Sequence, residues 1–303
     1  MRIVFMGTPD FAVPSLDILV KNNYDVVGVI TATDKYGGRG NKKLLQSAVK
    51  KYAVAHNIKV LQPKNLKSPE FLEELKALKA DLQIVVAFRM LPEVVWNMPP
   101  MGTFNLHASL LPKYRGAAPI NWAVIRGEKE TGATTFFLKH EIDTGDIIDQ
   151  CRIPIHPEDN AGQVHDRLMD AGAQLVLKSV QQIEKGPVEL IPQDASKATK
   201  APKIFAETCE IDLSQSVEEV YNFIRGMSPY PTAWTTFRGK KLKIFKTQPF
   251  QIETPSKGLN DPLVIQNSKE MRLYAKDGYL NLLEVQLEGK KRMDIASFLN
   301  GLR

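Results

Sequence analysis

The chain has 303 residues, with 40 Lys and Arg against 34 Asp and Glu for a formal net charge of +6, and it is 43% hydrophobic and 24% charged. At about 150 residues per domain this length predicts two domains, and a composition so near the globular average excludes a disordered chain, a collagen repeat and a coiled-coil rod. No apolar run approaches the ~18 residues of a membrane span, so no membrane partner is expected.

The opening MRIVFMGTPDF is too short and too broken for a signal peptide. Residues 3–6 instead form an apolar run ended by Gly7-Thr8-Pro9-Asp10, a strand followed by a turn. Residues 11–20 carry apolar side chains at helical spacing. Residues 26–30 and 82–87 are near-continuous Val and Ile runs, the pattern of strands covered on both faces in a parallel sheet. Between them, 44–56 and 69–78 read as crossover helices. This alternation predicts an α/β, Rossmann-like open sheet that forms an N-terminal domain over residues 1–188. The turn after the first strand is not G-x-G-x-x-G and Pro9 removes an amide donor, which argues against a nicotinamide cofactor. A long helix is expected over 162–184, with Val164, Leu168, Ala171, Leu175 and Ile183 on one stripe.

From 186 to 205 the chain is polar, contains Pro187, Pro192 and Pro202, and reads as a linker, drawn at 189–206. Residues 207–303 then form a second domain. Ser216 and Glu219 have the spacing of a capping box before a helix that ends near Gly226. Short runs at 234–237, 242–245, 263–265, 271–274 and 280–285 predict a small C-terminal β-barrel, OB-like in kind.

The densest polar chemistry lies in GTFNLHASLLPKYRGAAP, residues 102–119. Strand alternation places Asn105 and His107 on one face at a strand end, where open α/β sheets hold their ligands. An Asn amide can donate to a developing oxyanion and a His can move a proton at neutral pH. The spacing alone also fits a polar strand terminus with a solvated His. Arg115-Gly116 opens a tight approach before the next helix. A second cluster, His140-Glu-Ile-Asp143-Thr-Gly-Asp146, separates expected strands at 134–138 and 147–155. Its composition serves a hairpin turn as well as a carboxylate aimed at His107. The five histidines, at 56, 107, 140, 156 and 165, show no ligand spacing, so no metal is expected. Cys151 and Cys209 are too few for a disulfide framework, and a reducing, cytoplasmic location follows.

Two windows are basic and free of acids. Residues 35–51 carry Lys35, Arg39, Lys42, Lys43, Lys50 and Lys51, and residues 231–250 carry Arg238, Lys240, Lys241, Lys243 and Lys246. By strand alternation Trp234, Phe237 and Phe245, interleaved in the second window, are expected in the core, with the lysines left outside. One grip in each domain suits a polyanion that spans both.

The block Asn105-Leu-His107-Ala-Ser109-Leu-Leu-Pro112, followed by Asp143-Thr-Gly145, resembles the 10-formyltetrahydrofolate-dependent formyltransferases. MGTPDFAV, GRGNKK, SLLPKYRGAAPI and SPYPTAWTTFRGKKLKI, spread over nearly the whole chain, resemble the members that act on a charged tRNA. The resemblance implies transfer of the formyl group of 10-formyltetrahydrofolate to the methionyl amino group of initiator methionyl-tRNA, without a metal. It implies Asn105, His107 and Asp143 as the catalytic trio. Ser109, Leu110, Leu111 and Pro112 are implied to line the folate pocket, and the stretch 88–91, with Leu91, to hold the pterin ring. Arg39, at the acceptor-stem end, with Lys42, Lys43, Lys240, Lys241 and Lys243, is implied to contact tRNA. Arg89 and His140 depart from the pattern, and His140 is taken as peripheral. A monomer is expected. A formyltransferase acting on an amino-sugar nucleotide would share the trio but lack the two basic windows. A non-catalytic tRNA-binding protein would have no use for the trio.

Overall fold

The computed structural model describes residues 1–37, 40, 43–252 and 262–302. Arg39 and Lys42, two of the residues assigned to tRNA contact, lie outside the described residues. By compactness the chain divides into two units. The first comprises residues 1–115, 132–153 and 165–200, and the second 116–131, 154–164 and 201–303.

In chain order the elements are β1 (Arg2–Gly7), α1 (Val13–Lys21), β2 (Asp25–Ile30), β3 (Lys35–Gly37), β4 (Lys43–Leu45), α2 (Ala48–Ala55), β5 (Val60–Leu61), α3 (Pro69–Ala77), β6 (Leu82–Val86), α4 (Glu93–Trp96) and β7 (Thr103–His107). There follow α5 (Pro119–Ile125), β8 (Glu130–Phe137), β9 (Ile147–Pro154), α6 (Ala161–Glu184), α7 (Val217–Met227), β10 (Ala233–Phe237), β11 (Lys240–Thr247), β12 (Gln251–Ile252), β13 (Leu263–Asn267), β14 (Glu270–Ala275), β15 (Gly278–Leu287), β16 (Met293–Asp294) and α8 (Ile295–Asn300).

The first unit is built on a seven-stranded sheet in the order β5-β2-β1-β6-β7-β8-β9. Pairing is parallel from β5 to β7 and antiparallel between β7 and β8. Ile3, Val4, Phe5 and Met6 of β1 and all of β6 are buried, as runs covered on both faces must be. Strand order reverses between β1 and β6, which makes the carboxyl ends of β1, β6 and β7 the expected ligand edge. Gly172 of α6 lies so close to Leu106 that a Cβ there would come within 2.9 Å of its Cδ2. Leu106 is thereby committed to the helix face, and alternation turns Asn105 and His107 to the other.

Three expectations are corrected in this unit. The helix expected over 44–56 is α2 alone, capped by Ser47, whose hydroxyl accepts from the Lys50 amide. Leu44 and Lys43 instead pair with Tyr36 and Gly37 in a two-stranded antiparallel sheet. Lys50, counted with a basic grip, is spent on Asp34, a residue just outside the acid-free window, and its ammonium holds the Asp34 carboxyl below the usual carboxylate range. The stretch expected to be a free linker is fastened along the first unit: Ile191 and Ile147 exchange backbone hydrogen bonds of 2.8 and 2.9 Å, and the Arg115 amide donates to the Thr199 carbonyl at 2.9 Å. Its prolines and short polar residues hide a strap that pairs only briefly with each neighbour.

The second unit carries an antiparallel sheet in the order β10-β11-β15-β14-β13, with β12 and β16 also on β15. Helix α7 has the expected capping box, Ser216 and Glu219 bonding each other's backbone amides, and it lays Val217, Val220, Ile224 and Met227 on the core. Two segments from earlier in the chain complete the unit. Asn121 of α5 donates to the Gly226 carbonyl at 2.8 Å, and buried Arg225 donates to the Asp159 carbonyl at 2.9 Å. Gly116, at φ +126°, begins the approach to α5; a Cβ there would stand 2.5 Å from the Ala201 carbonyl oxygen.

Of the interleaved aromatics expected in the core, Phe237 and Phe245 are buried, while Trp234 is only partly buried against the core's margin. Trp234 opposes Lys243 across the β10–β11 pair, half-exposed, with the Lys241 ammonium 3.9 Å from its ring centroid. No helix among the described residues is long and apolar enough to cross a membrane.

Candidate active site

β7 is an interior strand, paired to β6 through Val85–Asn105 and to β8 through Phe136–Asn105 and Thr134–His107. A strand held on both sides fixes where its side chains point. His107 is 7% exposed, and its Nε2 lies 2.8 Å from the Tyr114 carbonyl oxygen. A carbonyl only accepts, so Nε2 carries a proton and Nδ1 is the nitrogen left to exchange one. Nδ1 faces Asp143 Oδ2 at 3.9 Å, too far for a direct hydrogen bond and close enough for electrostatic attraction to an imidazolium. Asn105 stands two residues earlier on the same face, half-buried.

Asp143 reaches this place on a sharply folded loop between β8 and β9. It sits in the left-handed region at φ 56°. At Gly145 a Cβ would fall 1.6 Å from the Phe137 carbonyl oxygen, so no side chain fits. The Gln193 side-chain amide donates to the Asp143 and Gly145 carbonyls at 3.0 and 2.7 Å, and Lys139 pairs with Asp146 at 2.8 Å. Sequence reasoning missed Gln193, which lies in the stretch read as a linker. No local signal in the sequence set it apart from the other polar residues there.

The loop after β7 is pinned from below. Thr134 donates its hydroxyl to the Ser109 carbonyl and accepts from the Leu111 amide, and Gln150 donates to the Leu111 carbonyl. Ser109 is fully buried, with its hydroxyl spent on the Lys113 carbonyl at 2.7 Å, and Leu111 packs with Phe136 and Ile147. Neither side chain opens to a ligand, while Leu110 and Pro112 remain half-buried.

Leu91 lines a cleft of ≈ 830 Å³ together with Leu66, Lys67, Arg89, Pro92 and Glu93. Arg89 donates to the Pro63 and Lys64 carbonyls and thereby ties two edges of the cleft together. His140, expected to be peripheral, lies 3.4 Å from Glu93 and edge-on to Trp96, so it connects the Asp143 loop to the cleft wall. Leu138 packs against both the cluster next to Phe88 and Leu91 and the cluster of Leu111 and Phe136. This packing makes the cleft and the His107 site neighbours in one unit.

Among the described residues no group of three or more His, Cys, Asp or Glu could hold a metal ion. Burial pushes the Cys151 and Cys209 thiols up, away from the reactive thiolate. Of the basic residues assigned to tRNA, Lys43 is exposed on β4 and Lys240 is exposed at the start of β11, with Lys241 and Lys243 half-buried beyond it.

Residues 1–180 match the family described as formyl transferase, and residues 203–303 match the formyl transferase C-terminal domain. The chain is 55% identical over 311 residues to the methionyl-tRNA formyltransferase of Parabacteroides distasonis, a match that covers 100% of this chain and 96% of that one. Among solved structures, the N-formyltransferase of Helicobacter canadensis in complex with folinic acid and dTDP-3-aminofucose superimposes with a TM-score of 0.72 at 23% identity, covering 97% of this chain and 100% of that one. HypX of Aquifex aeolicus in complex with tetrahydrofolic acid superimposes with a TM-score of 0.67 at 18% identity; the match covers 99% of this chain but 47% of that one, so this chain spans about half its length. At these identities the two structures show a shared fold.

Proposed function

The chain belongs to the formyl transferase family, and from that premise we propose that it formylates the α-amino group of the methionyl moiety on initiator methionyl-tRNA, with 10-formyltetrahydrofolate as donor. It is a one-carbon transferase of translation initiation. The observation that carries this reading is the 55% identity to a methionyl-tRNA formyltransferase along essentially the full length of both chains.

The donor fits the first unit. The cleft beside Leu91 offers apolar walls with Lys67 and Arg89 at its rim, matching a flat ring system with an acidic tail. Leu91, Leu110 and Pro112 line the folate pocket. Ser109 and Leu111 serve it from beneath by fixing the loop's shape. Asn105 donates its amide N–H to the formyl oxygen, which gains charge as the neutral amine adds to the formyl carbon. His107, held by Tyr114 through Nε2, uses Nδ1 to carry the amine's proton toward N10 as the bond from N10 to the formyl carbon breaks. Asp143 stabilises the imidazolium form of His107 that exists between those two transfers. No metal enters this chemistry.

Lys43 in the first unit, and Lys240, Lys241 and Lys243 in the second, contact tRNA phosphates; Arg39 and Lys42 belong to the same assignment. The antiparallel sheet of the second unit is read as an OB-like RNA-binding domain. The enzyme is read as a cytoplasmic monomer.

Incubation with charged initiator tRNA and 10-formyltetrahydrofolate tests the reading, with uncharged tRNA, free methionine and an amino-sugar nucleotide as control acceptors. Formyl must appear on the charged tRNA. Transfer to the sugar nucleotide alone overturns the assignment of the acceptor. Replacing Lys240, Lys241 and Lys243 together by Ala raises KM for tRNA and lowers the slope of its salt dependence by roughly 0.7–0.9 for each phosphate no longer neutralised. An unchanged slope in a salt titration removes the second unit from RNA binding.

A further inference from the structure

Gln193 uses the whole hydrogen-bonding capacity of its side-chain amide. Nε2 donates to the Asp143 carbonyl at 3.0 Å and the Gly145 carbonyl at 2.7 Å. Oε1 accepts from Arg115 Nε at 3.2 Å and Nη2 at 2.7 Å. Two donors and two lone pairs are all that an amide has.

The residues so joined stand on opposite sides of one imidazole. The Asp143 loop presents a carboxylate 3.9 Å from His107 Nδ1. The turn ending in Arg115 presents, one residue earlier, the Tyr114 carbonyl that holds Nε2. The strap carrying Gln193 has fastenings of its own. Ile191 pairs with Ile147, the Thr199 hydroxyl accepts from the Tyr114 amide at 2.9 Å, and the Thr199 carbonyl accepts from the Arg115 amide. The amide at 193 therefore extends from an anchored backbone. It spans the interval between two loops that lie far apart in the chain.

We propose that Gln193 is a positioning residue of the formyl-transfer site: its amide sets the spacing between the Asp143 loop and the Tyr114–Arg115 turn, and so holds His107 in register with Asp143. The inference rests on the formyl-transfer reading of His107 and Asp143. Only an amide meets the requirement. A carboxylate at 193 would turn an acceptor toward two carbonyl oxygens, and an apolar chain of the same length would release both loops. Asp143 is the residue that such a release would move, because its left-handed backbone is costly for a residue with a side chain and persists only while its surroundings enforce it.

The test measures kcat, KM for both substrates and thermal midpoint in Gln193→Met and Gln193→Glu, each made also in an Asp143→Ala background. The strap's backbone fastenings remain in every variant, and Gln193→Glu keeps the side chain's volume. The expected result is a loss of about 10–10²-fold in kcat, the scale of an ångström-level misplacement, with both KM values unchanged. In the Asp143→Ala background the second substitution costs nothing more, since the interaction it served is already gone. A brace with no part in the chemistry would lower the thermal midpoint and multiply its loss with that of Asp143→Ala. That multiplication, or a parental kcat in both single variants, overturns the inference. A parental kcat in Asp143→Ala alone is a different outcome: it removes Asp143 from the catalytic trio and the proposed role of Gln193 with it.

Discussion

His107→Ala lowers kcat by about 10²–10⁴-fold, the usual contribution of a positioned proton carrier, and leaves KM for methionyl-tRNA unchanged. The size of the effect follows from how completely the ring is committed. One nitrogen is locked to the Tyr114 carbonyl and the other faces Asp143, in a position only 7% exposed, so water has no ready route to take the ring's place. The substitution also removes the hydrogen bond between His107 Nε2 and the Tyr114 carbonyl, worth about 0.5–1.5 kcal/mol, which should appear as a lower thermal midpoint. Single-turnover kinetics separate the two consequences, since the chemical step is slowed at temperatures where the variant is fully folded. A raised KM for tRNA with kcat intact would move His107 from proton transfer to substrate binding.

The parts of this site differ in how far they could be read from sequence, for physical reasons. Strands β1, β2 and β6 are near-continuous apolar runs, and the 24-residue helix α6 follows its apolar stripe, so local pattern sufficed for both. Asn105 and His107 share a face because alternation along a strand is a local property. Their distance from Asp143 is not local; it came from resemblance, and the loop that creates it depends on Gln193, 50 residues further along. The pairing of β3 with β4 was hidden because Leu44 and Leu45 extend the apolar pattern of α2 backwards, while the partners that make them strand, Tyr36 and Lys35, lie earlier in the chain. Trp234 obeys alternation: it lies three residues from Phe237, so the two cannot share a face of one strand. Ala233, Thr235 and Phe237 are buried, which leaves Trp234 half-exposed at the core's margin with Lys241 stacked on it. Phe245 is buried beside an equally buried Ile244: the register of β11 on β15 shifts between Ile244 and Lys246, and the Arg292 guanidinium lies 4.2 Å from the Phe245 ring centroid.

Asn105→Ala should cost about 10²–10³-fold in kcat, the scale of losing one oxyanion donor. Its amide is carried by an interior strand whose neighbours on both sides, Val85 and Phe136, are buried, so it meets the developing charge without reorganising. Unlike His107, Asn105 is half-buried, and its removal should leave the thermal midpoint near that of the parent enzyme. Asn105→Asp is the sharper variant. It preserves shape but replaces the donor with an ionised acceptor, so the group that stabilised the oxyanion now repels it, and its kcat should fall below that of Asn105→Ala. Pre-steady-state formyl transfer to charged tRNA, measured with both substrates saturating, ranks the three enzymes. Equal rates for the Asp and Ala variants would mean that the residue at 105 does not face the charge, and the oxyanion donor would have to be sought elsewhere on the edge formed by β1, β6 and β7. The predicted order, Asn above Ala above Asp, ties the rate to the sign of the charge presented at one position, and no effect on folding or on tRNA affinity would generate it.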